Sequence, residues 1–375
     1  MTSSAYGRAA SWLLASFDVN DGRGSSAWAS RLFHPFRGWA HAYPETTGYI
    51  VPTLYDLVAT RPGDAARAGR TIDVAIDWLL SLQLPSGAFP GGHAVGSGRY
   101  YLSTRDYLLR RGRPPQASVF NSGQILRGLL SRLAHAPDER VLAAARRCAA
   151  FLAGAVDAKG RWAADAYAGR ESPAYFAYVT APLAEWATTY QDAEAHAACL
   201  RTLDAFAADV DRSSGFIRRM GFGASDTAHT HTVAYTLDGI LSSTRRLSMT
   251  RHPAHAAAMR ALEAIFHRTE VRKRMPGAFS TGWAADWSYE CLTGSFQLAL
   301  CFIDAYLELN DPRYLNAACR HYTAGETRQA RSGAFGGSHP AWGPYMRFRQ
   351  PNWATKYFMD LAIAVERALE RERNA

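Results

Sequence analysis

Tyr289-Glu-Cys-Leu-Thr-Gly-Ser-Phe-Gln-Leu-Ala-Leu300 starts a long apolar helix. A glycine- and aromatic-rich run, Pro276-Gly-Ala-Phe-Ser-Thr-Gly-Trp-Ala-Ala-Asp-Trp-Ser288, precedes it. After Leu309 the turn Asn310-Asp-Pro312 leads into an amphipathic helix. Proline stops one helix and suits the first turn of the next, so this tripeptide closes one element and opens another. The same unit, a long polar loop, an apolar helix, a tight turn and an amphipathic helix, begins again at five places. They are Tyr43-Pro-Glu-Thr-Thr-Gly-Tyr49, Phe120-Asn-Ser-Gly-Gln124, Tyr175-Phe-Ala-Tyr178, His229-Thr-His-Thr-Val-Ala-Tyr235 and Asn352-Trp-Ala-Thr-Lys-Tyr357.

Apolar spacing predicts helices over 4–16, from Glu45 to Arg61, and over 64–83, 121–134, 138–154, 175–190, 192–210, 229–247, 253–270, 289–309, 312–323 and 352–373. Pro52 predicts either a kink in the second helix or a start at that residue. Five pairs and a final unpaired helix leave one vacancy, which residues 4–16 fill. The expectation is an all-α (α/α)6 toroid, a six-hairpin barrel, in one domain over 1–375. Repeats of this kind bury their apolar faces only by stacking, and a closed ring leaves no exposed end. The turn within each pair is short and the return connection long. The N-termini of the first helices and all the long loops therefore gather at one mouth, where a site is expected.

Composition narrows the possibilities. In 375 residues Lys and Arg exceed Asp and Glu, giving a net charge of +9. The excess is spread out, so it does not mark a nucleic-acid interface, and it suits attraction of an anionic ligand. No apolar run reaches the ~18 residues of a membrane helix. The start of the chain lacks a signal-peptide core, which predicts a cytoplasmic location. Five cysteines in helical patterns point to reduced thiols. Cys291 with His229, His231 or His339 shows no zinc-ligand spacing, so no metal and no cofactor are expected.

The expected mouth collects carboxylates, histidines and aromatics. Glu45, Asp286, Glu290, His229, His231 and Tyr235 are the candidate catalytic groups. Trp39, Tyr49, Asn121, Gln124, Trp287, Tyr289, His339, Trp342, Tyr345, Arg347, Asn352, Trp353 and Lys356 are the candidate substrate-binding groups. Sugar rings stack on aromatic faces while their hydroxyls seek polar partners, so this mixture points to an oligosaccharide or polysaccharide. Glycosidic cleavage needs an acid and a second carboxylate across the bond, which Glu45 and either Asp286 or Glu290 supply. The bland alternative is that Glu45 and Glu290 merely satisfy helix dipoles. On a helix, His229 and His231, two residues apart, diverge; one of them is then a core histidine.

The segments Tyr289-Glu-Cys-Leu-Thr-Gly with Gln297, Asn310-Asp-Pro-Arg-Tyr-Leu-Asn-Ala-Ala318, Trp342-Gly-Pro-Tyr-Met-Arg-Phe348 and Pro351-Asn-Trp353 resemble a bacterial toroid family encoded in exopolysaccharide-biosynthesis clusters. That resemblance implies the fold and the pathway. Glu45-Thr-Thr-Gly-Tyr49 resembles the segment that carries the general-acid Glu in family 8 glycoside hydrolases, also (α/α)6 toroids, and this implies an acid role for Glu45. The leading expectation is an enzyme that cleaves or remodels a glycosidic bond in an acidic polysaccharide or its precursor. The first alternative is a uronic-acid lyase or C5-epimerase, in which His231, His229 or Tyr235 removes a proton while Asn121 and Arg347 neutralise the carboxylate. A non-catalytic glycan-binding component is the second.

Overall fold

A computed structural model of the chain describes residues 3–95, 99–101, 105–106, 109, 111–162, 173–222 and 225–374. The helices among them are α1 (Ser4–Asp18), α2 (Pro44–Thr60), α3 (Pro62–Ser81), α4 (Val119–His135), α5 (Glu139–Gly154), α6 (Ala177–Thr189), α7 (Ala193–Ala208), α8 (Thr230–Arg246), α9 (Pro253–Arg272), α10 (Leu292–Leu309), α11 (Pro312–Arg328) and α12 (Asn352–Asn374). Their contacts divide the chain into two compact units. One holds Leu13–Ser172 and Tyr178–Ala205; the other holds Met1–Trp12, Pro173–Ala177 and Phe206–Ala375.

Local chemistry sets the turns within pairs. Asp138 caps α5 by accepting from the Arg140 and Val141 amides, and Asp311 caps α11 by accepting from Arg313. A side-chain acceptor there satisfies backbone donors that the first helical turn leaves unpaired. Asn310 ends α10 in the left-handed conformation, with φ 52°, and Pro312 follows at the start of α11. His252 and Pro253 do the same work for α9.

In the first unit α2 packs on α3 and α4. Helix α2 runs unbroken through Pro52. Proline has no N–H to give the carbonyl four residues back, which is that of Gly48. That carbonyl lies against Gly128 of α4, where a Cβ would come within 2.4 Å of it. Two glycines thus let the backbones meet at the point where the helix has lost a bond.

The second unit is built on α10, which is buried on nearly every face, as a central helix must be. It packs against α8, α11 and α12. Helix α11 buries one side only, through Tyr314, Leu315, Ala318 and His321. The N-terminal end of α1 closes on this unit. Ser3 Oγ lies 2.8 Å from the Tyr322 hydroxyl, Arg8 donates to Gln329 Oε1 at 2.7 Å, and Trp12 Nε1 donates to Asn352 Oδ1 at 3.0 Å. The vacancy beside the last helix is filled by the first, as the helix count requires.

Candidate functional site

The return loop between α9 and α10 and the two residues before α8 fold into a small antiparallel sheet. Ala228–His229 pairs with Ala278–Ser280, which pairs with Ala284–Asp286. The register sets His229 opposite Ala278 and Ala278 opposite Asp286. In a second pair of short strands Glu290–Cys291, just before α10, joins Ser338–His339, which follows α11. The helix expected from 289 therefore starts at Leu292.

These strands change how the two histidines are aimed. His229 is not helical; it is the residue before α8, with φ −58° and ψ 144°, while His231 lies in the first turn. The divergence expected of two residues on one helix does not arise. Both imidazoles lie against Tyr345, with ring centroids 5.2 and 5.3 Å from it. Tyr235, one turn along α8, covers His231 at 4.2 Å.

Each histidine is fixed through Nδ1. His229 Nδ1 is 2.6 Å from the Tyr289 hydroxyl, and His231 Nδ1 is 2.6 Å from Gln297 Oε1. No described protein group bonds either Nε2. Burial pulls the His231 pKa down to about 3, against the opposing effect of the Gln297 bond. Burial also lowers that of His229, against the attraction of Asp286. Burial raises that of Tyr289, helped by Cys291 and Asp286. At neutral pH both imidazoles are neutral and the phenol keeps its proton.

Gln297 was not among the sequence candidates. Its signal is a lone amide within an apolar helix, three residues after Gly294. A Cβ at Gly294 would stand 2.4 Å from the His231 amide nitrogen, so the glycine lets α10 approach α8 closely enough for Gln297 to reach the ring. Gln297 Nε2, Thr293 Oγ1 and Thr355 Oγ1 are buried polar atoms with no hydrogen-bond partner among the described residues. Buried polar groups are normally satisfied, so the unpaired amide nitrogen of Gln297, whose oxygen meets His231, is suited to a polar ligand.

The other candidates of this unit are either tied to protein partners or exposed. Glu290 is buried, and both its oxygens are engaged, by Arg328 Nε at 2.9 Å and Ser295 Oγ at 3.0 Å. That carboxylate ties α11 to the strand. His339, opposite Glu290 in the strand pair, is exposed. Asn352 accepts from Trp12, Trp353 Nε1 donates to the Tyr345 hydroxyl at 2.8 Å, and Lys356 pairs with Asp360 at 2.6 Å. Asp286, Trp342 and Arg347 are exposed. Trp287 is half-buried between Arg272 and Arg274, each 5.7 Å from its ring.

In the first unit Glu45 is half-buried in the first turn of α2, Trp39 is half-buried and Tyr49 is fully buried. Asn121 donates to the Pro90 carbonyl at 3.1 Å, a bond that fixes its own loop. Gln124 is buried, and neither of its amide atoms has a partner among the described residues. A cluster that sequence reasoning missed contains Trp28, His34 and His93, with Tyr43 stacked on His93 at 4.9 Å and His34 beside His41. Burial lowers the pKa of His41 and of His93 to about 4.

No protein-family model matches the sequence, and no curated protein matches it. Solved structures do match. Cellobiose 2-epimerase from Bacillus thermoamylovorans B4167 aligns with a TM-score of 0.70 at 12% identity, over 92% of each chain. The unsaturated glucuronyl hydrolase of Bacillus sp. GL1, described as responsible for glycosaminoglycan degradation, aligns with a TM-score of 0.73 at 14% identity, over 97% of this chain and 96% of its own. An alpha-amylase from Clostridium perfringens aligns with a TM-score of 0.64 at 11% identity, over 94% of this chain and 97% of its own. At such identities the likeness shows the fold, which is the all-α (α/α)6 toroid expected from the loop lengths. The fold hosts different reactions in these three proteins, so the chemistry has to be argued from the site.

Proposed function

We propose that this chain is a carbohydrate-active enzyme that moves a proton at a sugar carbon next to a carbonyl or carboxylate, in the manner of an epimerase or lyase. The observation that carries this reading is the pair of neutral imidazoles against Tyr345, each held through Nδ1 and each with Nε2 left to a ligand. A base whose conjugate acid has a low pKa stays deprotonated at neutral pH, and burial strengthens its interactions with developing charge. The two-carboxylate alternative has less support within this unit, because Glu290 already holds Arg328 and Ser295. Hydrolysis is the second reading, because the fold is one that glycoside hydrolases also use.

The arginines on Trp287 and the net charge of +9 support an acidic oligosaccharide as substrate. The resemblance of the C-terminal motifs would make it a segment of a bacterial exopolysaccharide or its precursor. The test is incubation with acidic and neutral oligosaccharides in heavy water, followed by mass spectrometry and proton NMR. The expected result is solvent deuterium at one sugar carbon. Incorporation of labelled water oxygen without carbon-bound deuterium would replace this reading with hydrolysis.

A further inference from the structure

The hydrogen-bond partners of the two histidines differ in kind, and the difference fixes where each ring carries its proton. In the orientation Gln297 takes, its carbonyl oxygen faces the ring and only accepts, which places the hydrogen on Nδ1 of His231 and the lone pair on Nε2. Tyr289 is buried, and among the described residues the hydrogen-bond partner of its hydroxyl is His229 Nδ1. Had His229 donated to it, the phenolic proton would be buried without an acceptor, which costs more than leaving an oxygen lone pair unused. Tyr289 therefore donates, and Nε2 of His229 carries the hydrogen.

From this we infer that Gln297 and Tyr289 are positioning residues that hold the two imidazoles in opposite tautomers, making His231 the base and His229 a neutral hydrogen-bond donor. This assignment rests on the proton-transfer reading above. In the reaction the sugar C–H bond breaks and its proton passes to Nε2 of His231. The bonding pair forms the carbon–carbon double bond of an enediolate as the carbonyl π pair moves onto oxygen. That oxygen accepts the Nε2–H of His229. Delivery of a proton to the opposite face of the planar carbon, from His231 after the sugar turns over, re-forms the C–H bond with inverted configuration and restores both rings. A neutral imidazole suits the donor role, because it polarises the oxygen without protonating it. The aromatic contacts with Tyr345 and Tyr235 and the close approach at Gly294 keep the rings in these orientations.

The experiment is nitrogen-15 NMR on the full chain labelled at histidine, without ligand, at about pH 7. Signals are assigned with His229→Gln and His231→Gln. The expected spectrum shows the Nδ1–H form for His231 and the Nε2–H form for His229. Gln297→Leu should shift His231 toward Nε2–H and lower kcat by at least ~10², a loss in the range of general-base catalysis, with KM nearly unchanged. Gln297→Glu keeps an acceptor on Nδ1 but adds a charge that favours imidazolium, so it should move the acid limb of the kcat profile to higher pH. A merely structural glutamine would produce no such movement. Both rings in the same tautomer in the parent would overturn the inference while leaving the deuterium-exchange reading standing. Opposite tautomers without exchange at any sugar carbon would overturn the reaction, and with it the two roles.

Discussion

The two ends of α8 each hold a buried histidine. At the N-terminal end His231 gives Nδ1 to a neutral amide and keeps Nε2 unbonded to protein. At the C-terminal end His255, reaching across from α9, has both nitrogens engaged, Nδ1 by Thr244 Oγ1 and Nε2 by Glu308 Oε1, each at 2.8 Å. Around His255 lies a network in which Arg245 bonds Asp304 and Glu308. Burial raises the Glu308 pKa, but the bonds from His255 and Arg245 outweigh it and hold the carboxyl below its usual range. Burial alone therefore does not mark a histidine as functional. What separates the two is the nitrogen left over once the protein has taken its share.

The sharpest way to break this comparison is to remove each ring. His231→Ala should cost turnover by at least ~10², the loss expected when a general base is deleted. His255→Ala should leave kcat near the parent value. It should instead destabilise the fold by about 1–3 kcal/mol, because Thr244 and Glu308 lose a buried partner. Steady-state kinetics beside urea melts separate the two effects. A folded His255→Ala protein with no turnover, or a fully active His231→Ala protein, would end the distinction.

How much of this could be read in the sequence follows the range of the forces involved. Asn310-Asp-Pro312 and His252-Pro253 announce their turns because the determinants are local: a left-handed residue, a cap, a ring that fixes φ. Closure by α1 follows from counting helices. The aiming of His229 does not, since its strand has two residues and exists only because Ala278–Ser280 comes alongside. Glu290 looks catalytic in a list of carboxylates; its neutralisation by Arg328, thirty-eight residues on, is a tertiary fact. Gln297 reads in the sequence as a lone amide in an apolar helix, because its role depends on how closely Gly294 lets two backbones approach. Pro52 suggested a kink or a start, and the helix passes through because α4 offers a glycine to the freed carbonyl.

Protonation gives a second, smaller separation. In the folded chain His93 and His321 have pKa values of about 4, and His231 about 3, in each case chiefly through burial. Unfolded, each returns to about 6.5. Between these limits the unfolded chain binds more protons, so stability rises with pH there. The contribution is complete above about pH 6.5, drains as pH falls toward about 4, and levels off below the folded values. Urea midpoints measured at about pH 7, 5.5 and 4.5 should fall in that order. His231→Gln should remove about one proton from the slope. An unchanged slope would mean that His231 is already charged in the folded chain, and it would no longer qualify as the base.

The rim of the second unit should behave like neither end of α8. Trp287 is half-buried between two guanidinium groups, and Arg274 also donates to the Trp287 carbonyl at 2.5 Å. An exposed cation on an aromatic face contributes about 0.5–1 kcal/mol, and such charges are screened by salt. Under the proposal of an acidic substrate, Trp287→Ala removes both a stacking face and the surface that holds the arginines outward. It should raise KM for an acidic oligosaccharide about 3- to 10-fold at low ionic strength, since ~1.4 kcal/mol is tenfold in affinity. A neutral analogue should suffer less, kcat should stay near the parent value, and the histidine tautomers should not move. Adding salt should shrink the gap between acidic and neutral substrates in the parent and leave little gap in the variant. If Trp287→Ala lowers kcat as strongly as His231→Ala while KM holds, the tryptophan belongs to the chemistry and not to the rim. If acidic and neutral substrates lose equally at every salt concentration, the arginines have no part in choosing the substrate.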